Sequence, residues 1–230
     1  MDNKNVIITI DGPTGTGKSL AAKYLAEKLG YKYYDTGVFY RAVTYFVLKS
    51  KIKPNDYLAI CRAAQEINVT FEDEKVILNG EDLTEKINDL DVTNKVSGIS
   101  KIGKLRQILN NKIRNLDDGI TNAVVEGKDI GTEVFQKAKY KFYLVSDINA
   151  RIARRQQDFF DHGHKFSKDK IAREIKLRDD VEIKKAPIIV KKAHDAIQVD
   201  TTNMIVEEQV NYLYRIITNP EINLIQPESK

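Results

Sequence analysis

The sequence predicts an α/β fold: a parallel five-stranded sheet flanked by helices, with an inserted small antiparallel β lobe. Three observations predict it. Apolar strand candidates alternate with helical segments, at Val6 to Ile10, Tyr31 to Tyr34, Ala123 to Val125, Lys141 to Val145 and Ala196 to Val199. Charged and glycine-bearing residues follow the strand ends: Asp11-Gly12, Asp35-Thr36-Gly37, Glu126-Gly127-Lys128-Asp129 and Asp200-Thr201. In an open parallel sheet, ligands gather at that carboxyl edge. Between the second and third core strands the texture changes. Ile67 to Phe71 and Lys75 to Leu78 read as short strands joined by a charged turn. Asn79-Gly80 is a hairpin signal, and Glu81 to Thr84 can supply a third strand.

The first strand, Val6-Ile7-Ile8-Thr9-Ile10, is nearly continuous in apolar residues, as expected of a strand buried on both faces. Gly12, Pro13, Thr14, Gly15, Thr16, Gly17, Lys18 and Ser19 follow it and match G-x-x-x-x-G-K-[ST] in full. Beyond them Ala21, Leu25 and Leu29 recur at four-residue spacing beside Ala22 and Ala26, the pattern of a helix packing one face. Strand, glycine loop and helix are what phosphate binding requires. Glycines let backbone N–H groups close on phosphate oxygens, and the helix N-terminus adds positive potential. Lys18 can neutralise charge on the β- and γ-phosphates, and the Ser19 hydroxyl can ligate Mg²⁺.

Asp35, after the second strand, has two readings: it holds a Mg²⁺-bound water or orients the loop, or it caps the next helix in D-T-G-V-F-Y-R. Arg41, near the start of that helix, can reach an acceptor phosphate with its planar fork. Arg151, Arg154 and Arg155, at i, i+3 and i+4, share one helix face, with Asp147 as candidate N-cap. Such arginines can offset charge on a transferring phosphoryl group, or form a solvated basic face. Ile171, Ile175 and Arg178 place Arg178 at the end of an amphipathic helix. There it can meet substrate or stabilise the helix C-terminus. His162-Gly163-His164 has no cysteine nearby to complete a zinc site.

At 230 residues the chain can hold one sizeable core with inserted lobes. Its single cysteine, Cys61, excludes an internal disulfide and reads as a small buried apolar group. No apolar run approaches membrane-spanning length, and the start leads straight into the first strand without a signal peptide, so a cytoplasmic location is expected. The net charge of +4 suits a site for several phosphates. Nucleic acid is not expected as the main ligand, because basic residues form no long run and are not interleaved with aromatics.

Together these motifs resemble the bacterial cytidylate kinase family, small P-loop nucleoside monophosphate kinases that phosphorylate CMP. The resemblance runs from about Ile8 to Val210. It is carried by I-D-G-P-T-G-T-G-K-S from Ile10, D-T-G-V-F-Y-R-A from Asp35 and L-N-G-E-D-L-T from Leu78. Further along come V-S-G-I-S-K-I-G-K-L-R from Val96, E-G-K-D-I-G-T-E-V-F from Glu126, E-I-K-L-R-D-D from Glu174 and D-T-T-N from Asp200. It implies a single P-loop kinase domain over 1–220, an NMP-binding lobe at about 60–95, a helical lid at about 155–185 and a tail at 221–230. Gly12 to Leu20 would bind the ATP phosphates. Thr36, Tyr40 and Arg41 match the segment that holds the monophosphate, and Ser97, Arg106 and Asp129 match positions that contact cytosine. Arg178 matches an arginine near ribose and phosphate, and Glu182 stands where the family often has a ribose-contacting Asp. Arg151, Arg154 and Arg155 would begin the lid.

Two departures stand out. The family's G-R-D-I-G-T is G-K-D-I-G-T here, so Lys128 stands where an arginine would meet the CMP phosphate. The segment between Arg178-Asp179-Asp180 and Ala186-Pro187 is shorter than the family's and lacks its arginine, leaving Lys184 or Lys185 as substitutes. The expectation is a monomeric ATP:CMP phosphotransferase with Mg²⁺ as cofactor, acting also on dCMP, with no nucleic-acid or membrane partner. A related kinase for UMP or another small acceptor, and a nucleotide-dependent switch or RNA-binding module, are the alternatives.

Overall fold

The computed structural model describes residues 5–72, 75–117, 122–161, 163–180 and 191–219. By backbone contacts the chain divides into two compact units. The described residues within Met1–Tyr34, Ile120–Lys184 and Val190–Lys230 form the first, and those within Asp35–Gly119 belong to the second.

The first unit is built on a five-stranded sheet in the order β2-β6-β1-β7-β8, with β1 Val6–Asp11, β2 Lys32–Asp35, β6 Asn122–Gly127, β7 Tyr140–Val145 and β8 Ile197–Asp200. Strand β1 is central because it is apolar on both faces. It pairs in parallel with β6 (Ile8 opposite Val124) and with β7 (Ile8 opposite Tyr140). Two helices, α1 (Lys18–Leu29) and α8 (Val206–Thr218), pack on each other. They share a buried cluster with the sheet, in which Ile8, Ile10, Val124, Phe142 and Leu144 meet Ala21, Ala22, Leu25, Ala26, Leu213 and Ile216. The alanines keep α1 thin, so its backbone can lie close to the sheet and its first turn is held at the end of β1.

After β7 come two packed helices, α6 (Ile148–Asp161) and α7 (Lys168–Asp180). They have a small core of their own, with Phe159, Ile171 and Ile175 buried and Ile152 and Phe166 beside them. Asp147 starts α6 as the sequence suggests, accepting the N–H groups of Asn149 and Ala150 at 2.6 and 2.9 Å.

In the second unit the antiparallel lobe forms as read: β3 Val69–Glu72, β4 Lys75–Leu78 and β5 Glu81–Asp82, in sequential order. Asn79 and Gly80 turn the β4–β5 hairpin with φ of 50° and 84°. These are left-handed values that Asn and Gly tolerate and that match the strand twist. Among the described residues the unit also holds the α-helices α2 (Gly37–Lys49), α3 (Tyr57–Glu66), α4 (Leu90–Ile99) and α5 (Gly103–Arg114). Helix α2 packs on α4, and α3 on α5. Cys61 is buried on α3, and burial raises its thiol pKa, in keeping with a packing role. Among the described residues no helix is long and apolar enough to cross a membrane.

Candidate functional site

The glycine loop leaves the carboxyl end of the central strand, where β1 lies between β6 and β7. A Cβ at Gly12 would lie 2.4 Å from the carbonyl oxygen of Leu144 on β7, so only glycine lets the chain turn there. The loop closes on itself through Thr16, whose Oγ1 donates to the Pro13 carbonyl at 3.0 Å. Lys18 opens α1 and reaches back to the same carbonyl at 3.4 Å. No acidic residue lies in the first turn of α1, so nothing there offsets its positive end. Ser19 and Leu20 are exposed on that turn.

The arginines expected to share a face of α6 do leave it together, but their heads go to different partners. Arg151 is buried. It donates from Nε to the Thr14 carbonyl at 2.7 Å and grips Asp179 of α7 with both Nη atoms, at 2.7 and 2.8 Å. Arg154 donates to the carbonyls of Thr16, Thr201 and Met204, beneath the loop. Its burial lowers its pKa, and the nearby charges of Asp147 and Asp200 oppose that shift. Arg155 pairs with Asp158 and lies over the Phe159 ring at 4.3 Å.

At the end of β6 stand Lys128, half-buried, and Asp129, buried. A π-helical turn, Ile130–Val134, follows, an irregularity frequent at functional sites. Its start is pinned by Asp11, whose two carboxylate oxygens accept the N–H groups of Ile130 and Gly131, each at 2.8 Å. Asp11 thus ties the root of the phosphate loop to the residues beside Asp129. Burial raises its pKa to about 6, against the lowering effect of those two N–H donors. The charge of Asp129 adds to the rise and that of Lys18 opposes it. Between about pH 4 and 6 the folded chain therefore keeps a proton that the unfolded chain has lost. Stability falls as pH rises through that window, and a cost on the order of 3 kcal/mol is fully present above it. Asp11→Asn removes this titration. Urea unfolding of both chains should show the parent losing stability relative to the variant from pH 4 to pH 6.5. A difference independent of pH would refute the assignment.

In the second unit Asp35 accepts the Gly37 N–H at 2.7 Å and pairs with Arg41 at 2.6 Å, so its carboxylate serves the start of α2. Thr36, not Asp35, is the N-cap residue of that helix. Thr36 is buried. The guanidinium of Arg106 lies over the Tyr40 ring at 5.2 Å and reaches the Ser100 carbonyl at 3.4 Å. Ser100 in turn donates to the carbonyl of Ser97 at 3.2 Å. Tyr40 and Arg106, far apart in sequence, are thus brought together. Arg178 on α7 pairs with Glu174 at 2.9 Å. Glu182, Lys184, Lys185 and His162 lie outside the described residues, as does 221–230. His164 stacks on Phe166.

Sequence reasoning assigned no role to Asp11, Thr201 or Asp179. Asp11 carried a usable signal, a lone carboxylate closing an apolar strand. For the others the partner is a backbone carbonyl or an arginine far along the chain, which no spacing reveals.

The loop at the end of the central strand occurs in many enzymes. The rest of the chain decides among them: the family model described as Cytidylate kinase matches residues 8–219. The chain belongs to the cytidylate kinase family. Among its relatives, the cytidylate kinase of Caldanaerobacter subterraneus subsp. tengcongensis is 38% identical over 219 residues, covering 94% of this chain and 96% of that one. The cytidylate kinase of Clostridioides difficile is 38% identical over 209 residues, covering 90% and 95%. That of Fusobacterium nucleatum subsp. nucleatum is 35% identical over 213 residues, covering 93% and 97%. Membership accounts for the ordered motif set, from the loop to D-T-T-N, that a generic nucleotide-binding fold would not require.

Proposed function

We propose that this chain is a cytoplasmic, monomeric kinase that transfers the γ-phosphoryl group of ATP to CMP, and to dCMP, with Mg²⁺ as cofactor. A phosphate oxygen of CMP attacks the γ-phosphorus in line, the bond to the β-phosphate oxygen breaks, and CDP and ADP result. No covalent enzyme intermediate is needed. Catalysis is positioning and charge neutralisation. The observation that carries the reading is the complete G-P-T-G-T-G-K-S loop at the end of the central strand, in a chain matched to the family from residue 8 to 219.

In this reading the backbone from Gly12 to Leu20 cradles the donor phosphates, and Lys18 offsets the charge of the transferring group. Arg154 adds cationic charge beneath the loop, with Arg151 and Arg155 alongside it on α6, where Asp179 and Asp158 pair with them. Ser97, Arg106 and Asp129 read the cytosine edge, which offers an N4 amino donor and the N3 and O2 acceptors. Thr36, Tyr40, Arg41, Lys128 and Arg178 hold the acceptor phosphate and ribose, with Glu182.

The donor set suits a Mg²⁺ ion that arrives with the nucleotide. Mg²⁺ takes one or two protein oxygens and completes its shell with phosphate oxygens and water. Ser19 offers an exposed hydroxyl on the first turn of α1. Among the described residues no three His, Cys, Asp or Glu side chains cluster as a dedicated cage. Ser19 would hold the ion, and Asp35, whose carboxylate also meets Arg41 and Gly37, is the second candidate. Bound there, Mg²⁺ would neutralise phosphate charge.

The test is ADP formation from ATP and Mg²⁺ with CMP, dCMP, UMP, AMP and shikimate offered separately. CMP should be the best acceptor and dCMP should follow. A better rate with UMP or shikimate would overturn the assignment of substrate.

Lys128 gives a sharper check. Lysine offers the acceptor phosphate a point charge, whereas arginine binds two oxygens in one plane. Lys128→Ala should raise the KM for CMP roughly tenfold, the scale of one hydrogen bond to a charged group. Lys128→Arg should match or exceed the parent. Steady-state kinetics decide. An alanine variant with the parent's KM would remove Lys128 from the substrate.

A further inference from the structure

The phosphate loop is built around glycines whose left-handed conformation gives them a choice that other residues lack. Gly15 and Gly17 have φ of 83° and 89°. Glycine adopts such values freely, so each flanking peptide plane can rotate at little cost. A loop that must aim its N–H groups at phosphate oxygens therefore needs those planes set from outside.

The described peptides are all trans. In a planar trans peptide the carbonyl of one residue and the N–H of the next point in opposite directions. Holding the Thr14 carbonyl therefore aims the Gly15 N–H the other way, and holding the Thr16 carbonyl does the same for Gly17. Both carbonyls are held, by different side chains. Arg151 donates from Nε to Thr14 at 2.7 Å, and its fork is locked by the two bonds to Asp179. Thr201, fully buried after β8, donates from Oγ1 to Thr16 at 2.8 Å. Its own N–H is anchored to the Val145 carbonyl at 2.8 Å, so the hydroxyl is carried on a fixed backbone. Arg154 contributes at longer range, with Nη1 at 3.3 Å from both the Thr16 carbonyl and the Thr201 hydroxyl.

We propose that Thr201 and Arg151 are positioning residues for the phosphate loop, holding the Thr16 and Thr14 carbonyls from behind so that the Gly17 and Gly15 amides point at the donor phosphates. Thr201 thereby gains a part in donor binding without touching the nucleotide's phosphates. Arg151 acts through the backbone, its fork being occupied by Asp179. The inference rests on the phosphate-loop part of the function proposed above and not on the choice of CMP as acceptor.

The test uses the full-length chain, labelled with ¹⁵N and titrated with inorganic tripolyphosphate, in three forms: parent, Thr201→Val and Arg151→Met. Valine keeps the shape of threonine and loses only the hydroxyl. In the parent, both the Gly15 and Gly17 amide resonances should shift on binding. Thr201→Val should diminish the Gly17 shift and weaken binding about tenfold, as for one hydrogen bond to a charged ligand, while the Gly15 shift persists. Arg151→Met should show the reverse, and Thr201→Ser should restore the parent pattern. A loop merely loosened by either change would lose both shifts together. That result overturns the proposal, as does a parent-like response in either variant. Should Arg151→Met fail to fold with Asp179 unpaired, Arg151→Lys supplies the second arm. It keeps a charge for Asp179 and cannot reach Thr14 with the same head. Tripolyphosphate carries no nucleoside, so the amide shifts would still test the clamp in a parent that fails to phosphorylate CMP. Conversely, a variant with weak CMP turnover and unchanged amide shifts would refute the clamp and leave the kinase assignment standing.

Discussion

Lys18→Ala should lower kcat by a factor on the order of 10² to 10³, the loss seen when one preorganised electrostatic contact to a developing charge is removed. Lys18 is the first residue of α1 and its ammonium lies 3.4 Å from the Pro13 carbonyl, folded back over the loop it serves. That contact joins an amine to an oxygen within the same loop, so its loss costs the fold little. The variant should melt close to the parent, within the roughly 0.5 kcal/mol typical of substitutions away from the core. The ammonium would meet the β- and γ-phosphates, where negative charge must be offset as the phosphoryl group moves. The loss should therefore fall on kcat more than on the KM for CMP. Steady-state kinetics together with a thermal melt separate the cases. Near-normal turnover in a folded variant would exclude Lys18 from the chemistry.

Asp129→Ala should lower kcat/KM for CMP by about 2–4 kcal/mol in transition-state terms, the cost of leaving the buried base edge without its charged acceptor. ATP affinity should change little. The structure gives Asp129 the rigidity such a contact needs. Its carboxylate is buried at the end of β6, and its carbonyl accepts the Glu133 N–H at 2.8 Å. The two residues after it are held by Asp11. Asp129→Asn is the informative companion. Its amide oxygen can still accept from the cytosine N4 amino group, so it should recover part of the loss. Equal damage to ATP binding and CMP efficiency would instead place Asp129 on the donor side. Asparagine no better than alanine would show that charge, not acceptance of a hydrogen bond, is what matters there.

The fold was legible in the sequence because its determinants are local. The apolar run at Val6–Ile10 marked the central strand, four-residue apolar spacing after Ser19 marked α1, and Asn79-Gly80 marked the hairpin of the small sheet. In each case the residues that specify the element are the ones that form it. The phosphate loop was legible for the same reason, since its glycines and Lys18 act from adjacent positions. Tertiary structure decided how charge is distributed around that loop. Three arginines on one stretch of helix read as equivalent cations. Folding instead sends Arg151 to a loop carbonyl and Asp179, Arg154 to carbonyls around Thr201, and Arg155 to Asp158 on its own helix. Asp35, with two readings from sequence, meets Arg41 and the first turn of α2. Asp11, without an assigned role, ties two strand ends together across 119 and 120 residues of sequence. A buried charge takes whichever compensating partner the fold brings within hydrogen-bonding distance, because leaving it unpaired costs several kcal/mol. Residue type declares the need for a partner, and only the packed chain determines which one answers it.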